Sequence, residues 1–235
     1  MSSDRLSVVL AAMADVDGDP ESAVDRVCAA GVALLSLKGA GLSLMVDGEL
    51  RGTAGVSDPG VAVVQELQLS LGEGPCVDAW RSSAAVLEAD LTNPAVVRWP
   101  AFAQAGVEAG VRAVFAFPLH LGAVGIGVLV LYRDRPGGLT ADELAYGLVL
   151  ADLATQVVLS LQAGAPAGRL HELLAKEPAH WAEIHQATGI VSVQLGTSLD
   201  KAFVRLRARA FADGRPLRAV AREIVAGRLR LEDWG

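Results

Sequence analysis

Basic side chains recur at helical spacing near the end of the sequence, and this pattern is suited to binding phosphate. Lys201, Arg205 and Arg209 follow one another at intervals of four residues, so a helix places them on one side. Their cationic groups can neutralise the phosphates of a nucleic acid, and glutamine amides nearby can read base edges. The sequence therefore predicts eight candidate contacts: Gln186, Gln194, Lys201, Arg205, Arg209, Arg215, Arg218 and Arg222.

The charge of the chain is distributed unevenly. From residue 181 to the end there are nine Lys and Arg against six Asp and Glu, whereas the preceding residues contain eleven against twenty-one. The whole chain has a formal net charge of −7. An acidic chain that collects arginine near its end favours a polyanion-binding segment. A solvated arginine-rich surface that binds nothing would give the same count, so charge alone leaves both interpretations open.

Three short helices are predicted to position these side chains. Breaks at residues 196–198 and 213–216 divide residues 181–230, with Ser198 expected to cap the second helix and Pro216 to lie in the first turn of the third. Each helix has an apolar stripe that it cannot bury alone, which favours a three-helix bundle. The predicted core residues are Ile184, Ala187, Val191 and Leu195, then Leu199, Phe203, Leu206 and Ala210, then Leu217, Val220, Ala221 and Ile224.

This segment resembles an ANTAR domain, the RNA-binding output module of bacterial transcription antiterminators. The matching residues are 186–191, then Ala202-Phe203 with Leu206-Arg207, then Leu217, Val220-Ala221 and Ile224-Val225. The resemblance implies binding to hairpins in nascent transcripts, where unpaired loop bases are read and arginine and lysine hold the backbone. The family often has lysine where this sequence has Thr188, which implies one phosphate contact fewer.

The composition limits what the remaining residues can be. A chain of 235 residues suits one large or two small domains, and 52% hydrophobic residues exclude disorder over most of it. The start has no signal-peptide pattern, and the longest apolar stretches, such as 124–131, are too short to span a bilayer. Cys28 and Cys76 lack CxxC spacing, and four scattered histidines form no metal-ligand cluster. We expect a cytoplasmic protein with reduced cysteines, no metal site and no cofactor.

Residues 4–162 are predicted to form an α+β domain, a mixed and largely antiparallel sheet with helices packed on it. The apolar residues of strands 113–120 and 124–132 suggest central strands covered on both faces. Thr140 and Glu143 form a capping box in front of an apolar helix. The predicted elements are helices 4–14 and 20–36, strands 42–46 and 50–56, helix 61–71, strand 85–88, helix 98–109, the two central strands and helix 144–161.

This domain resembles a GAF domain, of the variety that precedes ANTAR modules in actinobacterial regulators. The matching residues are Gln68, 73–79, 90–91, 98–102 and 110–119. GAF domains commonly bind small ligands or mediate dimers, and the fold alone does not choose between those roles. The resemblance implies a GAF-like sensor over residues 4–162, a linker over 163–180 and an ANTAR-like RNA-binding domain over 181–235. No ligand can be named, because the signature of cyclic-nucleotide GAF domains is not recognisable.

Other chemistry has weaker support in the sequence. The glycines of residues 122–127 suit a hairpin better than a phosphate loop, because no helix follows them. Cys76 is either a redox-sensing thiol or, more often for such a residue, a buried hydrophobe. Trp80 and Trp99 could line a pocket or cap the core. No catalytic constellation is present, so we predict a regulator that is not an enzyme; the alternatives are a DNA-binding transcription factor and a GAF-based redox enzyme.

Surplus apolar residues predict that the chain forms a homodimer through helices. Helix 144–161 carries more apolar residues than one buried face requires, and Ile190 and Val193 lie off the main stripe of the first bundle helix. Surplus apolar surface on helices tends to be covered by a partner.

Overall fold

One five-stranded sheet is the centre of the first part of the chain in the computed structural model, which describes residues 2–16, 23–46, 49–95, 98–163 and 178–231. The strand order is β2-β1-β5-β4-β3, and every pair of neighbours is antiparallel. The strands are β1 (Gly39–Val46), β2 (Glu49–Val56), β3 (Val86–Glu88), β4 (Ala113–Leu121) and β5 (Val124–Arg133).

Helices cover both faces of this sheet. On one face α1, α2 and α6 share a core with Phe115 and Phe117, and on the other face α3, α4 and α5 share a core with Val114 and Ala116. The alternation in β4 therefore divides the strand between two cores, as predicted for a central strand. The helices are α1 (Ser2–Ala14), α2 (Ala23–Leu35), α3 (Pro59–Leu71), α4 (Pro75–Ser82), α5 (Pro100–Glu108) and α6 (Ala141–Ala163).

Two features of this part differ from the sequence prediction. Helix α4 was not predicted, because its eight residues follow Gly72 and Gly74, which are turn signals in the sequence. The sheet was expected to be mixed and largely antiparallel; the α+β fold is confirmed, and all pairings of the described strands are antiparallel. The predicted capping box is confirmed, because Thr140 N donates to Glu143 Oε2 at 2.7 Å and Glu143 N donates to Thr140 Oγ1 at 3.2 Å.

Helix α6 is the single helix among the described residues that is long and apolar enough to cross a membrane. The expectation that the longest apolar stretches are too short to span a bilayer was therefore wrong, because this helix has 23 residues. The helix nevertheless buries Leu150, Ala154 and Val158 in the core it shares with the sheet. A core helix of a soluble protein passes the same test of length and composition, so this helix is weak evidence for a membrane span.

Three helices form the second compact unit, Glu177–Gly235: α7 (Pro178–Leu195), α8 (Leu199–Ala212) and α9 (Leu217–Val225). Ser198 caps α8 as predicted, because its side chain accepts a hydrogen bond from Lys201 N. Pro216, expected in the first turn of α9, instead precedes the first helical residue. The domain limits drawn from the sequence stay a prediction, and the helical turns expected at residues 169–176 lie outside the described residues.

The core of this bundle consists of most of the residues that the helical repeat selects. Ile184, Phe203, Leu206 and Ile224 are all buried. Leu195 is only half-buried, and Leu199 is 56% exposed, so its place in the predicted core was wrong. Leu199 is the first residue of α8.

Candidate nucleic-acid interface

The outward side of α8 presents two exposed cations. Phe203 and Leu206 face the bundle core, so the rotation of the helix is fixed and the opposite side faces solvent. Lys201 and Arg205 lie on that side and are exposed. Neither side chain makes a hydrogen bond or ion pair with another described residue. Two solvated positive charges one turn apart can meet neighbouring phosphates without first losing a partner.

The other basic residues of α8 are partly engaged within the helix. Arg209 Nε lies 2.8 Å from Asp213 Oδ2, an ion pair between residues four apart. The guanidinium of Arg207 lies 5.0 Å from the ring centroid of Phe203, within range of a cation–π interaction. The Arg209 charge is thus offset by an acid at the helix end, which weakens its attraction for a further anion.

All three arginines predicted on and before α9 are paired with carboxylates. Arg215 contacts both oxygens of Glu223, at 3.0 Å from Nη1 and 2.9 Å from Nη2. The hydrogen bond from Arg215 lowers the pKa of Glu223. Arg218 and Arg222 both contact Glu183 on α7, at 3.5 Å and 3.4 Å. The structure thus places these arginines on the bundle but gives each of them an acidic neighbour.

The two predicted base-reading glutamines differ in their surroundings. Gln186 is exposed on α7. Gln194 accepts a hydrogen bond at 3.3 Å from the backbone N of Leu231, so its carbonyl oxygen already holds the segment after α9.

Thr188 does not lie on the surface of the bundle. It is 7% exposed, and its hydroxyl donates to the carbonyl of Ile184 at 2.8 Å. Thr188 therefore offers no surface contact for a phosphate, and the expectation of one phosphate contact fewer stays a prediction. The helical repeat could have shown this burial, since Thr188 is four residues after Ile184 and three before Val191.

Two exposed apolar side chains on α8 were not selected from the sequence. Phe211 is 67% exposed and Val204 is 51% exposed. They are seven residues apart and therefore lie on the same side of the helix. The signal was present, because both fall outside the stripe of Phe203, Leu206 and Ala210, but only the charged residues of that side were considered.

In the sheet domain, the residues that carry the family resemblance hold the helices together. The Gln68 side chain accepts from Cys76 N at 2.6 Å and donates to Cys76 Sγ at 3.2 Å. Gly74 has φ +132°, a conformation that favours glycine, and a Cβ there would collide with Gln68. Burial raises the pKa of Cys76 to about 12. A protonated, buried thiol behaves as a core residue rather than a reactive one.

Two carboxylates hold the start of α5, Glu73 from the loop between α3 and α4 and Asp78 from α4. Glu73 Oε1 accepts from the backbone N of Ala101 and Phe102 at 2.9 Å and 3.0 Å. Asp78 Oδ2 accepts from the side chains of Arg98 and Trp99 at 2.8 Å and 3.0 Å. Trp99 is 2% exposed, so it is part of the core and does not line an open site. Motif residues far apart in sequence are thus joined in one packing arrangement.

The glycines of residues 122–127 belong to the hairpin between β4 and β5, as the preferred interpretation held. Gly122 has φ +60° at the turn, and Gly125 lies against the ring of Trp80. His120 is half-buried on β4, and His171 lies outside the described residues. Within the part of the chain that the structure describes, no group of three or more His, Cys, Asp or Glu side chains could hold a metal ion.

Comparison with protein families gives two matches. A model of the GAF domain matches residues 17–158, more than half of the chain, and a model of the ANTAR domain matches residues 172–225. The chain belongs to the GAF family and carries a C-terminal ANTAR domain. GAF domains are signal-sensing modules, and ANTAR domains are known from RNA-binding antitermination regulators. This GAF–ANTAR architecture confirms the resemblance to the two domains, while the actinobacterial type stays a prediction. No curated protein matches the chain.

Solved structures support the fold of the GAF part. A GAF domain from a phosphoenolpyruvate-protein phosphotransferase of Coxiella burnetii has a TM-score of 0.52 at 18% identity, covering 69% of this chain and 95% of that one. The equivalent domain from Acinetobacter has a TM-score of 0.52 at 13% identity, covering 70% and 96%. A free methionine-R-sulfoxide reductase from Neisseria meningitidis, in complex with its substrate, has a TM-score of 0.50 at 17% identity, covering 70% of this chain and 92% of that one. At these identities the likeness shows the fold alone.

Proposed function

We propose that this GAF–ANTAR protein is a signal-responsive antitermination regulator, of the type found in actinobacteria, that binds hairpins in nascent transcripts. The observation that carries the proposal is the pair Lys201 and Arg205, exposed on one side of α8 and without a partner among the described residues. The opposite side of the same helix is the bundle core, so replacing either cation should leave the fold intact. As the ANTAR resemblance implies, the bound protein would favour an antiterminator hairpin over a terminator.

The predicted contacts have two classes of role in this proposal. Lys201 and Arg205 hold the RNA backbone directly, because they need no rearrangement. Gln186 reads an unpaired base from α7, and Gln194 contributes through the amide nitrogen that remains beside its engaged oxygen. The paired arginines contribute when RNA phosphates exchange with their carboxylate partners: Arg209, Arg215, Arg218 and Arg222.

The GAF domain acts in this scheme as the sensor, through a small molecule of unknown identity or through changes in a dimer, and not as an enzyme. The redox-enzyme alternative requires a reactive thiolate. Burial keeps Cys76 protonated, and Cys28 is also buried. The burial of both thiols makes a cysteine-dependent oxidoreductase less suitable than a regulator, and reduced cysteines agree with the proposed cytoplasmic location.

Homodimer formation through helices is part of the proposal. Val193 on α7 is 84% exposed, and a Cβ added at the nearby Gly189 would meet nothing within 4 Å, so this side of the helix is open. On α6, Leu148 and Leu161 are exposed at 50% and 37%. Light scattering at tens of micromolar, with and without RNA, should find a dimer. Finding only monomer under both conditions would remove this part of the proposal.

Sequencing of RNA crosslinked to the protein in its native cell tests the function and names its targets. The expected result is enrichment of leader segments that fold into hairpins. Binding of purified protein to such a hairpin, and to duplex DNA of equal length, then tests the DNA-binding alternative. Equal or tighter binding to the duplex DNA would favour that alternative.

A further inference from the structure

Two large apolar side chains face solvent on α8, on the side opposite the bundle core. Phe211 and Val204 are 67% and 51% exposed, and they lie two turns apart on one side of the helix. A single exposed apolar residue would need no explanation. An exposed pair that includes an aromatic ring, on a helix whose core-facing stripe is already complete with Phe203, Leu206 and Ala210, has no role in folding the bundle.

Cations lie on both sides of this apolar pair. Going around the helix at about 100° per residue, Lys201 and Arg205 follow on one side of Val204 and Phe211, and Arg207 follows on the other. Ala208, which is exposed and small, lies between Arg205 and Phe211 along the helix and leaves the ring accessible. The surface is thus an aromatic ring and an aliphatic side chain with three positive charges beside them and one exposed acid, Asp200, one turn before Val204.

We propose that Phe211 is a base-stacking residue, on which an unpaired loop base of RNA lies while Lys201 and Arg205 hold the adjoining phosphates. This inference rests on the proposed function and adds to it an aromatic contact with RNA, which the charged residues alone did not suggest. Unpaired bases in RNA loops stack on aromatic side chains, and the backbone is held by lysine and arginine. Phe211 lies six positions after Arg205, about 9 Å along the helix axis, so neighbouring nucleotides of one strand can reach both.

The charges favour RNA over a second copy of the chain as the occupant of this surface. A two-fold interface centred on Phe211 would bring the same surface of both copies together. With the two helices parallel, Lys201 and Arg205 of each copy would approach the same cations of the other copy, and like charges at an interface oppose association. With the helices antiparallel, Arg205 and Lys201 would lie about 9 and 15 Å from the axis at opposite ends of the contact, and the interface would make no use of them. A polyanion with accessible base faces satisfies the ring and the cations at once.

The test compares four proteins on one hairpin RNA whose loop is unpaired and carries a fluorescent 2-aminopurine, and on RNA duplex of equal length. The proteins are the parent, Phe211→Leu, Phe211→Trp and Val204→Ala. Phe211→Leu keeps an apolar side chain but removes the aromatic face, so its affinity for the hairpin should fall about 5- to 150-fold. Phe211→Trp should retain the affinity, and Val204→Ala should lose less than Phe211→Leu.

Three further readouts separate stacking from other effects. The salt dependence of binding should be the same for the parent and Phe211→Leu, because no phosphate contact is lost. Affinity for the duplex should not change, because its bases are not accessible. The 2-aminopurine emission should fall when the parent binds and fall less with Phe211→Leu.

The outcomes distinguish failure of the stacking role from failure of the proposed function. A parent that binds the hairpin with normal salt dependence, together with Phe211→Leu of equal affinity, would overturn the stacking role alone. A parent that fails to bind the hairpin would overturn both. A change in oligomeric state by sedimentation in Phe211→Leu, without a change in RNA affinity, would assign the surface to a second copy and also overturn the proposal.

Discussion

The carboxylate of Glu183 on α7 lies 3.4 Å from the guanidinium of Arg222 on α9. The other oxygen of the same carboxylate lies 3.5 Å from Arg218, one turn earlier on α9. One acidic side chain therefore offsets two of the arginines that were predicted to contact RNA, and it also connects the first helix of the bundle to the last. Any phosphate that binds these arginines must compete with Glu183.

Glu183→Gln should therefore tighten RNA binding. Removing the carboxylate frees Arg218 and Arg222, and each new phosphate contact should steepen the logarithmic salt dependence by about 0.7–0.9. The free energy of unfolding should change by less than about 1 kcal/mol, because the pair is partly exposed. Asp152→Asn, at an exposed acid on α6 of the sheet domain, makes the same change in net charge and serves as the control. Equal tightening in both variants would contradict a specific role of Glu183.

Phe203→Ala should destabilise the bundle, whereas Phe211→Ala should not. Both residues are on α8, but Phe203 is 6% exposed and Phe211 is 67% exposed. Loss of the buried ring should cost about 3–5 kcal/mol, and loss of the exposed ring less than about 0.5 kcal/mol. Urea unfolding followed by circular dichroism gives both values. Similar losses would mean that the rotation of α8 differs from that described.

Peroxide should leave RNA affinity unchanged in both the parent and Cys76→Ala. The Cys76 thiol is buried and its pKa is raised to about 12, so almost no thiolate is present near neutral pH. Peroxide sensitivity of RNA binding that is present only in the parent would identify a redox sensor instead.

The raised pKa of Cys76 also makes the stability of the protein depend on pH. The unfolded chain releases this proton from pH 9.0 and the folded chain only near 12, so the free energy of unfolding declines between those values. Cys76→Ala should remove that part of the decline.

Gly41→Ala should destabilise the GAF domain. A Cβ at Gly41 would overlap the side chain of Val61, because α3 packs directly on β1 at this point. Such overpacking typically costs about 1–3 kcal/mol. Gly52→Ala on β2 is the matched control, because a Cβ there meets nothing within 4 Å. Equal stability of the two variants would show that α3 can move away from the sheet.

Repeating patterns made much of the fold predictable. The 3.6-residue repeat selected the bundle core because α7, α8 and α9 each present one side to the other two, and it failed at Leu199, where the helix has only begun. The apolar sequence of β5 indicated a central strand, and it lies between β1 and β4. Helix α4 was missed because it has only eight residues and follows two glycines, which are turn signals in the sequence.

The site was less predictable, because pairing between distant residues depends on how the helices are rotated. The sequence placed Arg218 and Arg222 on the basic surface, but it could not show that Glu183, on another helix, lies between them. Nor could it show that Gln194 holds Leu231. The joining of Gln68 to Cys76 and of Asp78 to Trp99 likewise depends on the packing of three helices on one face of the sheet.

The most direct test of the account is the salt dependence of hairpin RNA binding by the parent, Lys201→Ala, Arg205→Ala and Arg209→Ala. Lys201→Ala and Arg205→Ala should each weaken binding and lower the logarithmic slope by about 0.7–0.9, with unchanged urea stability. Arg209→Ala should have a smaller effect, because Asp213 already offsets its charge. Unchanged RNA affinity in both Lys201→Ala and Arg205→Ala would contradict the claim that this side of α8 binds RNA.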